Sequence, residues 1–405
     1  MSNNAAAVSE DVAEIVAQST DEVKVYSKFD SMDLSEELLR GVYAMGFEKP
    51  SAIQQRAIVP MKEGRDVLAQ AQSGTGKTGT FLIGACTRVD PALKKVQVLI
   101  MVPVRELAQQ IQNVATSLTR YMNNGVGLQV YAATGGPPLR DDVRAINKGC
   151  QILVGCPGRI FDLINRNILL RDNIRQLIMD EADQMLEDRF KEQVLCILRK
   201  GFPRETRVAL FSATLSSDVI EVANDLLQNP VKILVKEKDV PLDGIRQLYV
   251  ELPEEGWKFD VLGDLYKQLT ISQALIYCNR RETAEKLYEK MIGAGFPVSL
   301  IHGEMDTEER KKRMSAFRHG DVRVMISTDM LARGIDVQQV SLVINYELPI
   351  VIENYIHRIG RAGRFGRKGV TINIISPEDM KAKKEIEEHW SISMQPLPQD
   401  LASVM

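Results

Sequence analysis

Short apolar runs alternate with longer amphipathic stretches through most of the chain. In the first half the runs at 67–71, 96–102, 151–155, 177–179 and 208–211 have the length and composition of strands, and each is followed by a loop and then a helical pattern. That rhythm predicts an α/β fold with a mainly parallel sheet flanked by helices. Parallel strands require crossover connections, so the ligand-binding loops are expected at the carboxyl ends of the strands. The stretch 235–244 breaks the rhythm: it is charged, carries Pro241 and Gly244, and has few apolar anchors, which predicts a linker. A second alternating series follows at 274–278, 298–301, 322–326, 342–345 and 370–375. The expected organisation is a tail over 1–25, a first α/β lobe over 26–234, a hinge over 235–244 and a second lobe over 245–405.

Composition narrows this picture without changing it. The 405 residues are 44% hydrophobic and 26% charged, ample for a packed core. The formal net charge of -3 means that any nucleic-acid surface must be local. Five scattered cysteines, with no C-x-x-C among them, support neither a zinc site nor a disulfide framework and fit a reducing compartment. No apolar run reaches membrane-spanning length. The small, polar and acidic start of the chain lacks the basic and apolar segments of a signal peptide and is expected to be disordered.

The chemistry begins at Ala71-Gln-Ser73-Gly74-Thr75-Gly76-Lys77-Thr78, which joins the first apolar run to a helix expected from about Lys77. Gly74 and Gly76 let backbone amides approach phosphate oxygens, Lys77 supplies a positive charge to the β- and γ-phosphates, and Thr78 offers a hydroxyl to Mg²⁺. The usual pattern starts with Gly, and Ala71 stands there instead. The apolar strand at 177–179 runs into Asp180-Glu181-Ala182-Asp183. An acid at a strand end beside a phosphate loop is where Mg²⁺ needs an anchor, so Asp180 is the candidate. Glu181 is placed to orient or deprotonate an attacking water.

The letters at 180–183 carry a resemblance: from about Phe29 to Trp390 the chain resembles the DEAD-box RNA helicases, with motifs in the expected order. The resemblance implies two RecA-like lobes and use of ATP with Mg²⁺. It implies that Phe47 and Gln54, in Gly46-Phe-Glu-Lys-Pro-Ser-Ala-Ile-Gln54, read adenine, and that Ser73 and Thr75 belong to the phosphate site. Ser212-Ala213-Thr214 matches the family's element coupling hydrolysis to strand separation, with His357 as a further coupling residue. Pro103, Arg105, Gly136, Arg159, Arg310 and Thr328 are the implied RNA contacts, to phosphates and sugars and so largely independent of sequence. Gly334 and Asp336 are implied at the ATP site. Arg361 and Arg364 are implied as arginine fingers, sharing a face if they lie on one helical turn.

Each lobe holds half of the implied site, so hydrolysis is expected to depend on lobe closure favoured by RNA. The wording at 39–41, 51–57 and 335–346 is similar to the translation initiation factor 4A group and its nuclear exon junction complex relative. Trp257-Lys-Phe-Asp260 leans to the latter and Leu331-Ala-Arg-Gly334 to the former. Partners expected on this ground are single-stranded RNA and a closure-promoting protein, either an initiation-factor scaffold or an exon junction complex component, in the cytoplasm or the nucleus, with no membrane. The alternative to an autonomous helicase is an ATP-gated RNA clamp.

Four positions depart from the family's pattern. Val104, Pro137 and Cys156 stand where threonines are expected near RNA phosphates, and Thr307 stands where a Gln is expected. Two readings follow: the three lost hydroxyls leave the chain with a weak grip on RNA alone, or Arg105, Gly136, Arg159 and backbone amides still hold the strand.

Overall fold

The computed structural model describes residues 23–71, 75–186, 188–233, 245–269, 273–331, 340–362 and 369–398, the side chains of 188, 189 and 307 excepted. The chain divides into two compact units, Met1–Lys236 and Glu237–Met405. The expected linker and nearly all of the expected tail lie outside the described residues. Val23 and Tyr26 pack against the core of the first unit, and the Tyr26 amide donates to the Gln55 carbonyl.

The first unit contains β1 Val67–Gln70, β2 Val98–Met101, β3 Val130–Ala133, β4 Ile152–Gly155, β5 Gln176–Asp180, β6 Arg207–Ser212 and β7 Val231–Ile233. They form one sheet in the order β3-β4-β2-β5-β6-β1-β7, parallel at every pairing. Along β1 and β2 alternate residues enter two cores: Val67, Ala69, Val98 and Ile100 face one, while Leu68, Leu99 and Met101 face the other. A sheet covered on both faces explains why these strands are continuous apolar runs. The helices are α1 Glu36–Ala44 and α2 Gln54–Lys62, which precede β1, and the crossover helices α3 Lys77–Cys86, α4 Arg105–Leu118, α5 Leu139–Gly149, α6 Pro157–Asn165, the short α7 Ala182–Met185, α8 Asp188–Arg199 and α9 Ser217–Leu226. The site depends on one feature of this order. β6 lies between β1 and β5, so the loops leaving all three open side by side, with Gln70 opposite Ser212 and Asp180 opposite Phe211.

The second unit contains β8 Ile245–Glu251, β9 Ala274–Tyr277, β10 Val298–Ile301, β11 Val324–Ser327, β12 Leu342–Asn345, β13 Gly369–Ile375 and β14 Gln395–Pro396. Their order is β10-β11-β9-β12-β13-β8-β14, again parallel at every pairing. Counted from its own first strand, this is the order of the first unit, so the chain carries one architecture twice. The helices are α10 Lys258–Gln268, α11 Arg281–Gly293, α12 Thr307–His319, α13 Ile352–Ile359 and α14 Met380–Trp390.

The apolar rhythm located the central strands and missed β3, β7, β8 and β14. β3, β7 and β14 lie at sheet edges and β8 is next to one. β3 and β8 are partly exposed, and β8 mixes polar and apolar residues, as strands covered on fewer sides can. β2 begins two residues later than its apolar run, because the Gln97 side chain ties the preceding loop together through Asp90 and the Leu93 carbonyl.

Candidate functional site: a nucleotide cleft and a phosphate-facing edge

The cleft is built where β1, β5 and β6 end. The Ala71 amide donates to the Ser212 carbonyl at 2.9 Å, holding the start of the phosphate loop to β6. Ser73 and Gly74 lie outside the described residues. Gly76 caps α3 with φ of 96°, a left-handed conformation that favours glycine. A Cβ there would also meet Gln54 Nε2 at 2.9 Å. Thr75 and Thr78 flank this turn, both half-buried.

Lys77, the first residue of α3, is buried with its Nζ 3.1 Å from Glu181 Oε1 and 4.0 Å from Asp180 Oδ1. Burial by itself pulls the ammonium pKa down, but the charges of Glu181, Asp180 and Asp183 outweigh it and the net shift is upward. Lys77 therefore stays charged. Burial pushes the Asp180 carboxyl up to about 7, with Lys77 opposing. Glu181 adopts φ of 55°, an uncommon conformation for a non-glycine residue that turns β5 sharply into α7.

The third acid connects the cleft to β6. The Asp183 amide donates to Ser212 Oγ at 3.2 Å, and Thr214 Oγ1 donates to Asp183 Oδ2 at 2.8 Å. Ser212 and Thr214 are thus bonded directly to the acidic turn. On the other side of the phosphate loop, Gln54 is buried. Its Oε1 accepts from the Ser51 amide at 2.8 Å and its Nε2 donates to the Gly76 carbonyl at 3.4 Å. Phe47 is half-buried, with its ring edge against Gly79, where a Cβ would lie 3.4 Å away. The structure therefore brings Phe47, Gln54, Gly76, Lys77, Asp180 and Glu181 to one end of one sheet.

The donor set suits a magnesium ion. Several carboxylates surround a single ammonium, so negative charge is in excess and every anionic ligand is a hard oxygen. Among the described residues no group of three or more His, Cys, Asp or Glu could hold a metal ion.

A second set of residues lines the ends of the neighbouring strands β3, β4 and β2. Val104 is the N-cap of α4 and Cys156 the N-cap of α6, while Pro137 precedes Pro138, the N-cap of α5. None of these three helices has a side-chain cap. The departures from the family's threonines therefore sit at three adjacent helix amino termini, where amide groups face outward and favour anions. Pro103 is buried. The Arg105 guanidinium lies against Gly135, and Gly136 adopts φ of 104°. Arg159 pairs with Asp142 and donates to the Pro137 carbonyl at 2.9 Å; Asp142 also accepts from the Tyr131 hydroxyl at 2.9 Å. This arginine is presented in a fixed orientation.

In the second unit Arg310 is buried and donates to the Gly303 carbonyl at 3.3 Å. Thr328 follows β11 and is half-buried. His357 is buried within α13. Arg361 differs from its expected setting. α13 ends at Ile359 with Gly360 as its C-cap, whose amide turns back to the Ile356 carbonyl, so Arg361 lies in the turn beyond the helix. It is 1% exposed. Gly334, Asp336 and Arg364 lie outside the described residues, as does the side chain of Thr307.

Arg358 was not singled out from the sequence, yet it organises this unit. It is fully buried. Its guanidinium pairs with Asp329, donates to Asn279 Oδ1 and the Glu347 carbonyl, each at 2.7 Å, and reaches Asn345 Oδ1 at 3.3 Å. It also lies over the Tyr277 ring. Asn354 Nδ2 holds the other Asp329 oxygen at 3.1 Å. One side chain thus ties the loop beside Thr328 to the helix carrying His357. Its partners lie 11 to 79 residues away in the chain, a separation that leaves no local signal.

Comparison with known proteins agrees with this geometry. Residues 51–222 match the DEAD/DEAH box helicase family and residues 257–366 the helicase conserved C-terminal domain. The chain is 51% identical over 382 residues to the ATP-dependent RNA helicase eIF4A of Emericella nidulans, covering 94% of this chain and 95% of that protein. It is 50% identical over 396 residues to the eIF4A of Chaetomium globosum, covering 98% of each. Among solved structures, S. cerevisiae Dbp5 bound to RNA and ADP BeF3 superposes with a TM-score of 0.87 at 36% identity, covering 94% of this chain and 98% of that one. Mss116p bound to ssRNA and AMP-PNP superposes with a TM-score of 0.83 at 25% identity, covering 95% and 83%. The chain belongs to the DEAD-box family of ATP-dependent RNA helicases. Among the described residues no helix is long and apolar enough to cross a membrane.

Proposed function

We propose that this chain hydrolyses ATP in response to single-stranded RNA, gripping the strand by its backbone and separating short duplexes, and that it serves translation initiation in the cytoplasm, a reading supported by its similarity to eIF4A proteins. The observation that carries the reading is the bonded series Lys77–Glu181, Asp180, Asp183–Ser212 and Thr214, which joins a phosphate-binding lysine to the acids and to the coupling element within one sheet end.

In this reading Phe47 and Gln54 select adenine. The amides of the 73–78 loop and the Lys77 ammonium hold the phosphates, and Glu181 orients the attacking water and receives its proton. Mg²⁺, held by Thr78 and through Asp180, would neutralise charge on the phosphates. The second lobe contributes Gly334 and Asp336 to nucleotide binding, and Arg361 and Arg364 as arginine fingers. Arg105, Gly136 and Arg159, with Pro103, Arg310 and Thr328, hold the RNA strand; His357 and the 212–214 element carry the coupling. Purified full-length protein is expected to turn over ATP several-fold faster with single-stranded RNA than without. Equal turnover in both would remove the reading.

The helix starts at Val104, Pro137 and Cys156 favour a second reading, an ATP-gated RNA clamp in a nuclear mRNA-processing complex, dependent on a partner for closure. A hydrogen bond to a charged group contributes about 1.5–3 kcal/mol. The triple variant Val104→Thr, Pro137→Thr, Cys156→Thr is therefore expected to bind RNA at least about tenfold more tightly. Pro137→Thr keeps the carbonyl that accepts from Arg159 and restores a backbone donor. Unchanged affinity in an RNA titration would show that backbone amides and arginines already hold the strand.

A further inference from the structure

The loops that enter the first-lobe sheet, at the edge opposite the nucleotide cleft, gather arginines that the family chemistry does not use. Arg88 follows α3, Arg175 precedes β5 and Arg207 opens β6. We propose that Arg88, Arg175 and Arg207 form a second contact site for the RNA backbone, separate from the strand-holding edge and one or two phosphates wide.

The sheet register places them together. β6 lies between β1 and β5, Arg207 is opposite Gln176, and the Arg207 amide donates to the Arg175 carbonyl at 2.9 Å. The Arg88 guanidinium lies over Gly64, so close that a Cβ there would sit 2.9 Å from its Nη1. That Nη1 is buried and hydrogen-bonds nothing among the described residues. Burial, and then the neighbouring charges of Arg207 and Arg175, hold the Arg88 guanidinium below its ordinary pKa, with Asp66 opposing.

Asp66 is the nearby counter-charge, but both of its oxygens are occupied by backbone. They accept from the Val208 amide at 2.8 Å and the Gln228 amide at 2.7 Å. No salt bridge to Arg88, Arg175 or Arg207 occurs among the described residues. Among the described residues the three guanidinium groups have no ion-paired carboxylate. A phosphate supplies the missing charge and several acceptor oxygens in the geometry that a guanidinium fork matches.

RNA is favoured as the source over a small phosphorylated ligand. Exposed Lys94, Lys95 and Arg204 lie in the same set of loops and, with the three arginines, outnumber Asp90, Asp172 and Glu205, so the edge stays net positive beyond a single phosphate. The chain as a whole carries -3, so this accumulation is local. The proposal rests on the family reading only in taking RNA as the polyanion.

The test compares full-length wild type with R88Q/R175Q/R207Q by fluorescence anisotropy, in a non-hydrolysable ATP analogue. The probes are single-stranded RNAs of about 10 and about 40 nucleotides, titrated with salt. Each phosphate contact adds about 0.7 to the log–log salt slope for single strands. The variant is expected to bind the longer RNA at least about tenfold more weakly, with a slope shallower by about 0.7–1.4, and to bind the shorter RNA like wild type. Unchanged affinity and slope for the longer RNA would overturn the proposal, and so would equal weakening of both RNAs.

Loss of inorganic pyrophosphate binding, with binding of the longer RNA intact, would assign the site to a small phosphate and overturn the RNA assignment. Thermal unfolding checks the fold. If the triple variant melts early, the exposed Arg175→Glu alone must still weaken the longer RNA and spare the shorter. Wild type that binds neither RNA would instead count against the helicase reading itself.

Discussion

Replacing Arg364 by alanine is expected to lower RNA-stimulated ATP turnover by about 10³–10⁵-fold, the range over which arginine fingers act in other phosphoryl-transfer enzymes. ATP affinity should change little, because the interaction is made mainly as charge develops on the transferring group. The expectation comes from position in the family's last motif, together with the setting of its neighbour. Arg361 lies just beyond the end of α13, buried, with its Nε 3.5 Å from the His357 carbonyl. The helix ends before Arg361, at the Gly360 cap. Steady-state hydrolysis with saturating RNA, together with binding of a labelled ATP analogue, separates the two effects. Unchanged turnover would mean that the second lobe does not complete the site.

Arg358→Met is expected to destabilise the second lobe by about 3–5 kcal/mol, the usual cost of removing one partner from a buried charge network. Methionine keeps much of the length and apolar stem but leaves Asn279, Asn345 and the Glu347 carbonyl without their donor, and Asp329 without its cation. Arg358→Lys retains the charge and loses the planar fork, so it should fall between the two. Urea unfolding of the full-length chain, followed by a probe in the second lobe, reads the difference. A lysine variant as stable as wild type would show that charge alone, and not the fork, holds the loop of Thr328 to α13.

Much of the nucleotide site was legible because it is local. Gly76, Lys77 and Thr78 are consecutive, and Asp180 to Asp183 follow a short apolar strand, so chain order already places each group at a strand end. Phe47 and Gln54 were legible only through resemblance, since neither residue alone differs from an ordinary core or surface position. The three missing threonines are visible in the sequence; the fold adds that all three positions fall at adjacent helix starts, where backbone amides face outward.

The sequence by itself determined the alternation of strand and helix, the division into two series and the chemistry of the phosphate loop. These depend on periodicity and on neighbours a few residues apart. Tertiary structure alone decided that β6 stands between β1 and β5, which brings Lys77 within 3.1 Å of Glu181 and Thr214 within 2.8 Å of Asp183. It also decided that both lobes repeat one strand order, that Arg358 is a buried hub, and that Arg88, Arg175 and Arg207 meet at the far edge. Each of these is a contact between residues distant in the chain, set by strand order and register. No local pattern of apolar and polar positions encodes which strands become neighbours.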